Sequence, residues 1–335
     1  MVQNFAYQLI DVKSKNLENG LLPDASEESS STDSVTQNTK LSIIILTRNR
    51  KEELSRALQS CIECSLPTHT EFIVIDNGST DGTQDNVAQF FTKNGIKCFY
   101  YYLTDNIGVS AGRNFGFSRA CGRYVYFLDD DAYIDGPKGT FFEEMINTLS
   151  GNDNVFCVTT SIFDTELNSL RPPTATKRNY PDILRNKVLF FHGGSCLIDK
   201  QRLIDHKKLF LTQQFRGMPE LYASLKNYFN GKFVIEMKDI QIIHSPSSRT
   251  RPSWRDETIY HYTGSVHVKL IFYPAIFYPL VYILFCLRII KHIGFKGILQ
   301  SFRKLSQLNR NLVRETVPMD KFISFVRDFG FIAAF

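Results

Sequence analysis

The sequence lacks three features that mark secreted or repetitive proteins. No basic stretch followed by a long apolar run stands near its N-terminus, so we expect no cleaved secretory signal. It has no internal repeats, which excludes a repeat architecture. Its seven cysteines are an odd number scattered through strand-like and helix-like segments. This pattern fits reduced thiols in a cytosolic compartment better than a disulfide framework.

The composition is that of an ordinary globular protein. The chain has 335 residues, of which 43% are hydrophobic and 22% charged, enough for one large or two small domains with a substantial core. The net charge of +5 is unevenly placed, because residues 1–40 carry a net charge of −3 and residues 288–335 one of +6. The basic end suggests contact with an anionic surface, and a membrane suits it better than nucleic acid.

Both ends of the chain differ from its middle. Residues 13–40 are rich in Ser, Asn, Glu, Asp and Thr, which predicts a disordered linker behind a short N-terminal strand or helix. Residues 270–287 contain no charge but hold two prolines and three tyrosines, so an interfacial or re-entrant segment is favoured over a straight spanning helix. Basic residues follow directly. We expect peripheral membrane contact through 270–310, the alternatives being a buried helix or an oligomer contact.

From residue 41 onward, short apolar strands alternate with helical patterns. Such alternation predicts a mostly parallel sheet covered by helices on both faces. The predicted strands are 41–46, 71–75, 96–103, 124–128, 155–162, 188–198, 232–236 and 240–243, and the predicted helices are 50–64, 84–93, 109–120, 139–149 and 219–230.

Polar side chains follow three of the predicted parallel strands. They are Thr47–Arg50, Asp76–Gly82 and the triplet Asp129–Asp131. Since ligands of such sheets bind at the carboxyl ends of the strands, we expect these groups to converge on one edge. Neighbouring carboxylates are unfavourable unless a cation or strong donors neutralise them, and a divalent metal that holds a phosphate would do so. Taken alone, an acidic triplet is also typical of a solvated turn.

Two further segments allow a structural and a functional interpretation. The loop after Asp76 can turn tightly and cap the next helix, or its carboxylate can accept hydrogen bonds from a base or ribose. Gly108, Gly112 and Gly116 are four residues apart, which allows a helix to pack closely on the sheet. Arg113 lies off that stripe and could reach a phosphate.

Taken in order, the motifs Leu41–Arg50, Phe72–Thr83, Asn106–Asn114 and Ala120–Asp131 resemble those of the family 2 glycosyltransferases, including rhamnosyltransferase-like members. The resemblance is specific over about 41–135 and looser to about 265. It implies a GT-A fold: a Rossmann-like α/β domain with a mostly parallel sheet between helices.

The resemblance also implies a division of the chain. Residues 41–265 would form the glycosyltransferase domain, with a nucleotide-sugar half (41–135) and an acceptor half (136–265). Residues 1–40 would be an N-terminal segment and disordered linker, and 266–335 a hydrophobic and basic helical region that associates with the membrane.

Roles for individual residues follow from the same resemblance. Asp129 would face the ribose or sugar and Asp131 the metal, with His244 completing metal or diphosphate binding. His192, Gly193 and Gly194 resemble a loop where acceptor and donor sugar meet. The remaining nucleotide-sugar contacts would be Thr47, Arg48, Asn49, Asp76, Asn77, Arg113 and Asp130. The chain departs from the family pattern at Leu46, Arg48 and Asn77, where proline, tyrosine and a second aspartate are common.

The catalytic base is assigned to Glu220. The family usually supplies it from an acidic pair that opens a helix ending at glycine, and counting back from Gly231 places that pair on Pro219 and Glu220. A glutamate in place of aspartate adds one methylene without changing the chemistry. The alternative is an acidic residue in a first helical turn, where the helix dipole favours it.

These features predict a cytoplasmic enzyme at the inner face of the membrane. With Mg²⁺ or Mn²⁺ it would transfer a sugar, with inversion, from a UDP-, dTDP- or GDP-linked donor to a hydroxyl of a saccharide, lipid-linked or other acceptor. No nucleic-acid partner is expected. Two alternatives remain: a nucleotidyltransferase of similar fold, and a catalytically silent, membrane-tethered module that binds nucleotide sugars.

Overall fold

The computed structural model describes residues 6–11, 16–21, 40–136, 138–171, 173–206, 208–246 and 253–335. Its strands, in chain order, are β1 (Ala6–Asp11), β2 (Asn16–Leu21), β3 (Leu41–Thr47), β4 (Thr70–Asp76), β5 (Cys98–Leu103), β6 (Tyr124–Asp129), β7 (Ala132–Asp135), β8 (Val155–Asp164), β9 (Ser169–Arg171), β10 (Lys187–Val188), β11 (Ser195–Asp199) and β12 (Phe233–His244).

The α-helices of the described residues occupy the predicted places between strands and then form the C-terminal region. They are α1 (Lys51–Ile62), α2 (Thr83–Asn94), α3 (Val109–Arg119), α4 (Phe141–Ser150), α5 (Pro219–Tyr228), α6 (Trp254–Phe272), α7 (Tyr278–Ile293), α8 (Lys296–Leu308), α9 (Met319–Phe329) and α10 (Phe331–Ala334).

The described strands form one mixed sheet. Its order is β10-β12-β8-β11-β6-β3-β4-β5-β1-β2, with β7 added to β12 and β9 to β8. The four central strands β6, β3, β4 and β5 are parallel, and their register sets Thr47 level with Asp76 and Leu46 level with Asp129. The carboxyl ends of these strands therefore meet at one edge, as predicted from the polar residues that follow them.

Helices cover both faces of this sheet because its central strands are apolar on both sides. Ile43 and Ile45 of β3 point into the core shared with α1, α2 and α4, whereas Ile44 points into the core shared with α3. The α3 backbone lies very close to β3, since a Cβ on Gly116 would come within 2.7 Å of Ile44 Cγ2. This arrangement confirms the predicted α/β fold class and the packing role of Gly112 and Gly116, whereas Gly108 precedes α3 and faces Phe215 instead of the sheet.

Two predicted strand boundaries were wrong. The run 188–198 is divided into β10 and β11, because residues 189–194 form a loop between strands that pair with different neighbours. The runs 232–236 and 240–243 are one strand, β12, whose pairing with β8 is interrupted by an irregularity between Met237 and Gln241. A bulge of this kind lets one strand bend without ending.

The N-terminal prediction needs correction in part. Residues 16–21 form β2, which pairs antiparallel with β1, and β1 in turn pairs antiparallel with β5. A polar segment forms a strand here because pairing at a sheet edge supplies backbone hydrogen bonds whatever the side chains. The rest of the predicted linker, residues 12–15 and 22–39, lies outside the described residues.

The C-terminal region is helical, as predicted, but it begins earlier than residue 266. Helix α6 runs without interruption through the predicted boundary at 265/266. Its apolar side chains join those of α5, α7, α8 and α9 in a third hydrophobic core. The C-terminal helices and the helix that carries Glu220 therefore share one core.

A buried ion pair fastens α9 to the sheet. Asp328 accepts a hydrogen bond from Lys187 Nζ at 2.5 Å, and both side chains are almost fully buried, with 1% and 2% exposed. The Tyr180 and Tyr228 hydroxyls also donate to Asp328, each at 2.7 Å. Although burial opposes ionisation, these donors lower the pKa of Asp328. Tyr228 ends α5, so this carboxylate links the C-terminal region to the helix of the predicted base.

We predict that Asp328→Asn lowers the free energy of unfolding by about 3–5 kcal/mol, because it leaves the Lys187 ammonium buried without a counter-charge. Urea unfolding of the purified variant would measure this. The matched control is Asp320→Asn, an exposed carboxylate in the first turn of the same helix. The Asp320→Asn substitution should lower the free energy of unfolding by less than about 1 kcal/mol. Equal effects of the two substitutions would contradict the assigned role of Asp328.

Candidate functional site

A cavity of about 660 Å³ opens at the carboxyl edge of the parallel strands. Its walls come from the ends of β3, β4 and β6, the start of α3, the loop before α5, and the end of β12. Its lining residues are Leu46, Thr47, Arg48, Arg50, Asn77, Asn106, Gly108, Val109, Arg113, Asp129, Asp130, Asp131, Phe215, Arg216, Gly217, Pro219, Glu220, His244 and Glu257. The structure thus brings together nine of the predicted site residues.

Within the triplet, Asp130 is held by the protein itself. Thr47 Oγ1 donates to its Oδ2 at 2.9 Å, and Arg50 Nη1 donates to its Oδ1 at 2.8 Å. The same Arg50 nitrogen lies 2.8 Å from Asp131 Oδ2. Burial raises the pKa of Asp130 to about 7, against the opposing charge of Arg50. Asp130 therefore serves the internal bonding of the site, while Asp129 is more exposed.

Arg113 connects the aspartate triplet to Glu220. Its Nη2 donates to Asp129 Oδ1 at 2.6 Å and its Nη1 donates to Glu220 Oε1 at 2.7 Å. Helix α3 can place this guanidinium there because Gly112 lets the helix approach Leu46, whose Cδ1 would lie 2.6 Å from a Cβ at that position. One buried cation thus joins two carboxylates that are 91 residues apart in sequence.

Glu220 enters the cavity from the first turn of α5. The chain turns sharply before it, with Gly217 and Met218 both at positive φ (92° and 56°), and Pro219 occupies the first helical turn. Burial raises the pKa of the Glu220 carboxyl, although Arg113 counteracts the shift. A carboxylate in this setting is a stronger proton acceptor than an exposed glutamate.

His244 ends β12 beside the triplet. Its Nδ1 lies 3.0 Å from Asp164 Oδ2, and its Nε2 lies 3.3 Å from Asp131 Oδ1. Burial opposes protonation, but the two carboxylates raise the pKa of His244. The parallel register of β8 and β12 pairs Asp164 directly with His244, which fixes the ring. A carboxylate behind a histidine commonly orients that histidine toward a metal.

The side chains of Asp129, Asp131 and His244 fit a divalent cation. One ligating atom from each lies within 4.8 Å of the others. Carboxylate oxygen and imidazole nitrogen suit Mn²⁺, and carboxylate oxygen suits Mg²⁺. Arg50 contacts Asp131 and Arg113 contacts Asp129, so a bound ion would share each carboxylate with a guanidinium group.

The predicted nucleoside contacts fall into two groups. Asp76 is fully buried; the Tyr100 hydroxyl donates to its Oδ2 and the Ser79 amide donates to its Oδ1 at 2.7 Å. Burial raises the pKa of Asp76. Asn77 lines the cavity, and its Oδ1 has no hydrogen-bond partner among the described residues. The amide of Asn77 is therefore the better placed of the two to meet a ligand.

Arg48 and Asn49 also differ in placement. Arg48 is exposed and lines the cavity, whereas Asn49 adopts a left-handed conformation with φ 52° and does not line it. Asn49 Oδ1 instead accepts the Thr80 amide at 2.7 Å, and the Asn49 amide donates to Ser79 Oγ at 2.8 Å. These bonds tie the loop after β3 to the loop after β4.

The loop His192–Gly194 lies behind the cavity wall. A Cβ on Gly193 would overlap Arg113 and Glu220, and one on Gly194 would lie 2.7 Å from Asp129 Oδ2. Both glycines let the loop pass close to the buried ion pairs. His192 is not part of the lining; its Nε2 lies 2.8 Å from the Arg171 carbonyl oxygen, and burial lowers its pKa.

Comparison with known proteins identifies the family. The sequence profile of glycosyl transferase family 2 matches residues 42–209, half of the chain, including β3, β4, α3 and the aspartate triplet. The chain belongs to glycosyl transferase family 2.

Curated relatives of this family 2 protein match it over a part of their length. The poly(ribitol-phosphate) β-N-acetylglucosaminyltransferase TarS of Staphylococcus aureus is 32% identical over 206 residues, covering 60% of this chain and 34% of TarS. The putative teichuronic acid biosynthesis glycosyltransferase TuaG of Bacillus subtilis is 37% identical over 91 residues, 27% of this chain and 35% of TuaG. The chain thus spans about a third of the length of these relatives.

Solved structures with low sequence identity share the fold. TarS 1–349 of S. aureus in complex with UDP-GlcNAc has a TM-score of 0.55 and 16% identity, covering 86% of this chain and 85% of that one. The mannosyltransferase PcManGT of Pyrobaculum calidifontis, in complex with GDP-Man and Mn²⁺, has a TM-score of 0.54 and 16% identity, with 90% and 82% covered. Both are glycosyltransferases, and the likeness supports the predicted GT-A architecture.

Two side chains that support the cavity, Tyr100 and Asp164, were not predicted from the sequence, and Arg50 was placed at the sheet edge without a role of its own. Arg50, Tyr100 and Asp164 each contact a predicted residue from a different element. Arg50 and Asp164 do follow or end apolar strands, which is the signal that selected Thr47 and Asp129. Tyr100 stands inside an aromatic strand and gave no such signal.

We predict that Gly193→Ala destabilises the site, because the added methyl overlaps the Arg113–Glu220 ion pair. Overpacking of this kind costs about 1–3 kcal/mol. Thermal unfolding would measure the loss. Gly139→Ala is the matched control, since a Cβ there meets nothing within 4 Å and the φ of Gly139 is not positive. An unchanged melting temperature for Gly193→Ala would refute the close approach.

Proposed function

We propose that this protein is a metal-dependent, inverting glycosyltransferase. It transfers a sugar from a nucleotide diphosphate donor to an acceptor hydroxyl. The observation that carries the proposal is one cavity in which Asp129, Asp131 and His244 lie close enough to hold a cation and Glu220 stands across Arg113 from them. Membership in glycosyl transferase family 2 supports the same class of reaction.

The proposal assigns the donor to residues 41–135 and the acceptor to residues 136–265. Arg48, Asn77 and Arg113 face the cavity on the donor side, where cationic and amide groups suit a nucleoside diphosphate. The proposal places Glu220 on the acceptor side of the cavity. Mg²⁺ or Mn²⁺ bound by Asp131 and His244 would supply Lewis-acid stabilisation of the departing diphosphate. The proposed donors are UDP-, dTDP- or GDP-linked, and the UDP-GlcNAc and GDP-Man complexes of the fold relatives support the first and the last of these.

The proposed acceptor step is a direct displacement. Arg113 engages Glu220 Oε1, so we assign proton removal from the acceptor hydroxyl to Oε2. The acceptor oxygen forms the new bond to the anomeric carbon while the bond to the diphosphate oxygen breaks on the opposite face, which inverts the configuration. Asp130, held by Thr47 and Arg50, keeps its two neighbours in place and takes no part in proton transfer.

The protein would act in the cytoplasm, at the membrane, on a saccharide, a lipid-linked saccharide or another hydroxyl acceptor. The relatives TarS and TuaG are named for the glycosylation of poly(ribitol-phosphate) and for teichuronic acid biosynthesis, which supports a polymer or its precursor as acceptor. A silent binding module is the second candidate, because Pro219 stands where the family's first acidic residue is expected.

We predict that one or more nucleotide sugars raise the melting temperature of the protein in the presence of Mn²⁺, since a ligand that binds only the folded state stabilises it. A panel of UDP-, dTDP- and GDP-sugars would be scored by thermal shift. Excess chelator, or Asp131→Asn, should remove the metal-dependent part of the shift. Release of pyrophosphate from a nucleoside triphosphate would instead favour a nucleotidyltransferase. The absence of any shift across the panel would count against the proposal.

We predict that Glu220→Gln lowers turnover by about 10²- to 10⁴-fold, the usual contribution of a general base, while nucleotide-sugar binding persists. Initial rates and the thermal shift, measured on the same preparation, separate the two effects. Glu143→Gln is the matched control, because Glu143 is an exposed acid in the first turn of α4. A silent module would show no turnover before the substitution. Full activity of Glu220→Gln would exclude Glu220 as the base.

A further inference from the structure

Helix α7 carries an apolar stripe on its outer side. Ile283 and Leu287 are each 56% exposed, and Ile276 in the preceding turn is 75% exposed. Ile283 and Leu287 are four residues apart and therefore lie on one face of α7, and Ile276 lies in the 3-10 turn Ala275–Phe277 that precedes the helix. The opposite stripe, formed by Val281, Phe285 and Ile289, is buried in the third hydrophobic core.

The exposed stripe continues onto α8. Phe295 is 76% exposed, Leu299 60% and Phe302 37%. The rings of Phe302 and Tyr282 stack with their centroids 6.2 Å apart, which holds α7 and α8 side by side. We call this surface the α7–α8 face; it consists of Ile276, Ile283, Leu287, Phe295, Leu299 and Phe302. Exposed apolar side chains on two helices that pack together are typical of a site of interaction with another surface.

Cations border the α7–α8 face. Lys291 follows Leu287 by one helical turn, and Lys296 and Arg303 are one turn before and after Leu299. No ion pair joins these three side chains to a carboxylate of the described residues. The sequence explains this, because residues 258–314 contain eight Lys and Arg and no Asp or Glu. The surface therefore combines exposed apolar groups with uncompensated positive charge.

We propose that the α7–α8 face docks onto an anionic lipid surface. Its apolar side chains would enter the boundary between headgroups and acyl chains, and its lysines and arginine would meet the phosphates. A second copy of the chain fits less well, since a symmetric contact would bring the same cations against one another. Nucleic acid would leave the six apolar side chains without a role.

The structure favours a helix that lies on the bilayer over one that crosses it. Among the described residues, one helical segment, Ala275–Ile293, is long and apolar enough to span a membrane. However, α7 supplies only 16 of these 19 residues, about 24 Å, and the segment approaches the ~30 Å of a hydrocarbon core only with the 3-10 turn before it. Its inner stripe also packs against the protein, so a crossing would dismantle the third core. A helix that lies in the interface can place its outer apolar stripe in lipid while its inner stripe stays packed in the third hydrophobic core.

The docking surface connects directly to the cavity. Helix α6 carries Glu257 in the cavity lining and packs against both α7 and α8. Docking would therefore hold the mouth of the cavity at a fixed place near the lipid surface. If the proposed transfer is correct, this arrangement selects acceptors that are held in the membrane. This selection of acceptors rests on the proposed function, whereas the docking surface does not.

The test is flotation of the full chain with lipid vesicles. We expect the protein to float with vesicles of phosphatidylglycerol and phosphatidylcholine, to float far less with phosphatidylcholine alone, and to lose binding as salt increases. The double variant Ile283→Asp, Leu287→Asp should lower the partition coefficient at least about tenfold. Its matched control is Leu167→Asp, Leu170→Asp, because those leucines are 59% and 54% exposed on the β8–β9 hairpin.

Charge is tested separately from apolar contact. The triple variant Lys291→Gln, Lys296→Gln, Arg303→Gln should bind anionic vesicles at least about tenfold more weakly. Its control is Lys93→Gln, Arg185→Gln, Lys238→Gln, which changes the net charge equally at exposed sites elsewhere. Circular dichroism and the nucleotide-sugar thermal shift would establish that each variant is folded.

The outcomes are distinct. Wild-type protein that ignores anionic vesicles, or variants that float as well as their controls, would overturn the proposal. So would a dimer that the double aspartate variant converts to monomer, because the face would then be a contact between copies. Resistance of bound protein to alkaline carbonate would indicate a crossing helix and also contradict it. Vesicle binding without any nucleotide-sugar shift would leave the docking surface standing and reject the proposed transfer.

Discussion

The site depends on the neutralisation of carboxylates that the fold forces together. Parallel strands bring the triplet to one edge, and α5 adds Glu220 from the side. Ionised carboxylates at this spacing repel strongly when buried. Two guanidinium groups offset that repulsion: Arg50 spans Asp130 and Asp131, and Arg113 spans Asp129 and Glu220. Because each arginine comes from a different part of the chain than its partners, the charge balance also fixes the relative positions of β6, α3 and α5.

This constraint explains the placement of small residues around the cavity. An arginine can bridge two carboxylates only where the backbone leaves room, and the glycines of α3 and of the 192–194 loop leave that room. The same network separates duties within the triplet. Both carboxylate oxygens of Asp130 accept hydrogen bonds from the protein, while Asp129 and Asp131 each keep an oxygen atom close to the His244 ring. A divalent ion entering the site would therefore find ligands already aligned by protein–protein hydrogen bonds.

Much of this could be predicted from the sequence. Continuous apolar runs such as 41–46 fixed the central strands, and the polar residues after them located Thr47 and the triplet. What could not be predicted lies in contacts between distant elements. The Arg50 bonds cross about eighty residues, and the Asp164–His244 pair depends on a register between β8 and β12 that no local pattern encodes. Exposure on α7 was equally hidden, because a run that is apolar all round does not reveal which face the protein covers.

The N-terminal hairpin has a consequence for the behaviour of the chain in solution. β1 pairs with the outer side of β5, whose sequence Cys98–Leu103 is rich in aromatic residues. An aromatic strand of this kind, left at the margin of a sheet, presents a row of open amides and carbonyls to other chains. β1 covers that margin and leaves β2 (Asn16–Leu21), a more polar strand, at the outer edge of the described sheet, so we expect less edge-to-edge self-assembly than an open β5 would allow. A segment that does not line the cavity thus shields the aromatic side of the sheet from other chains.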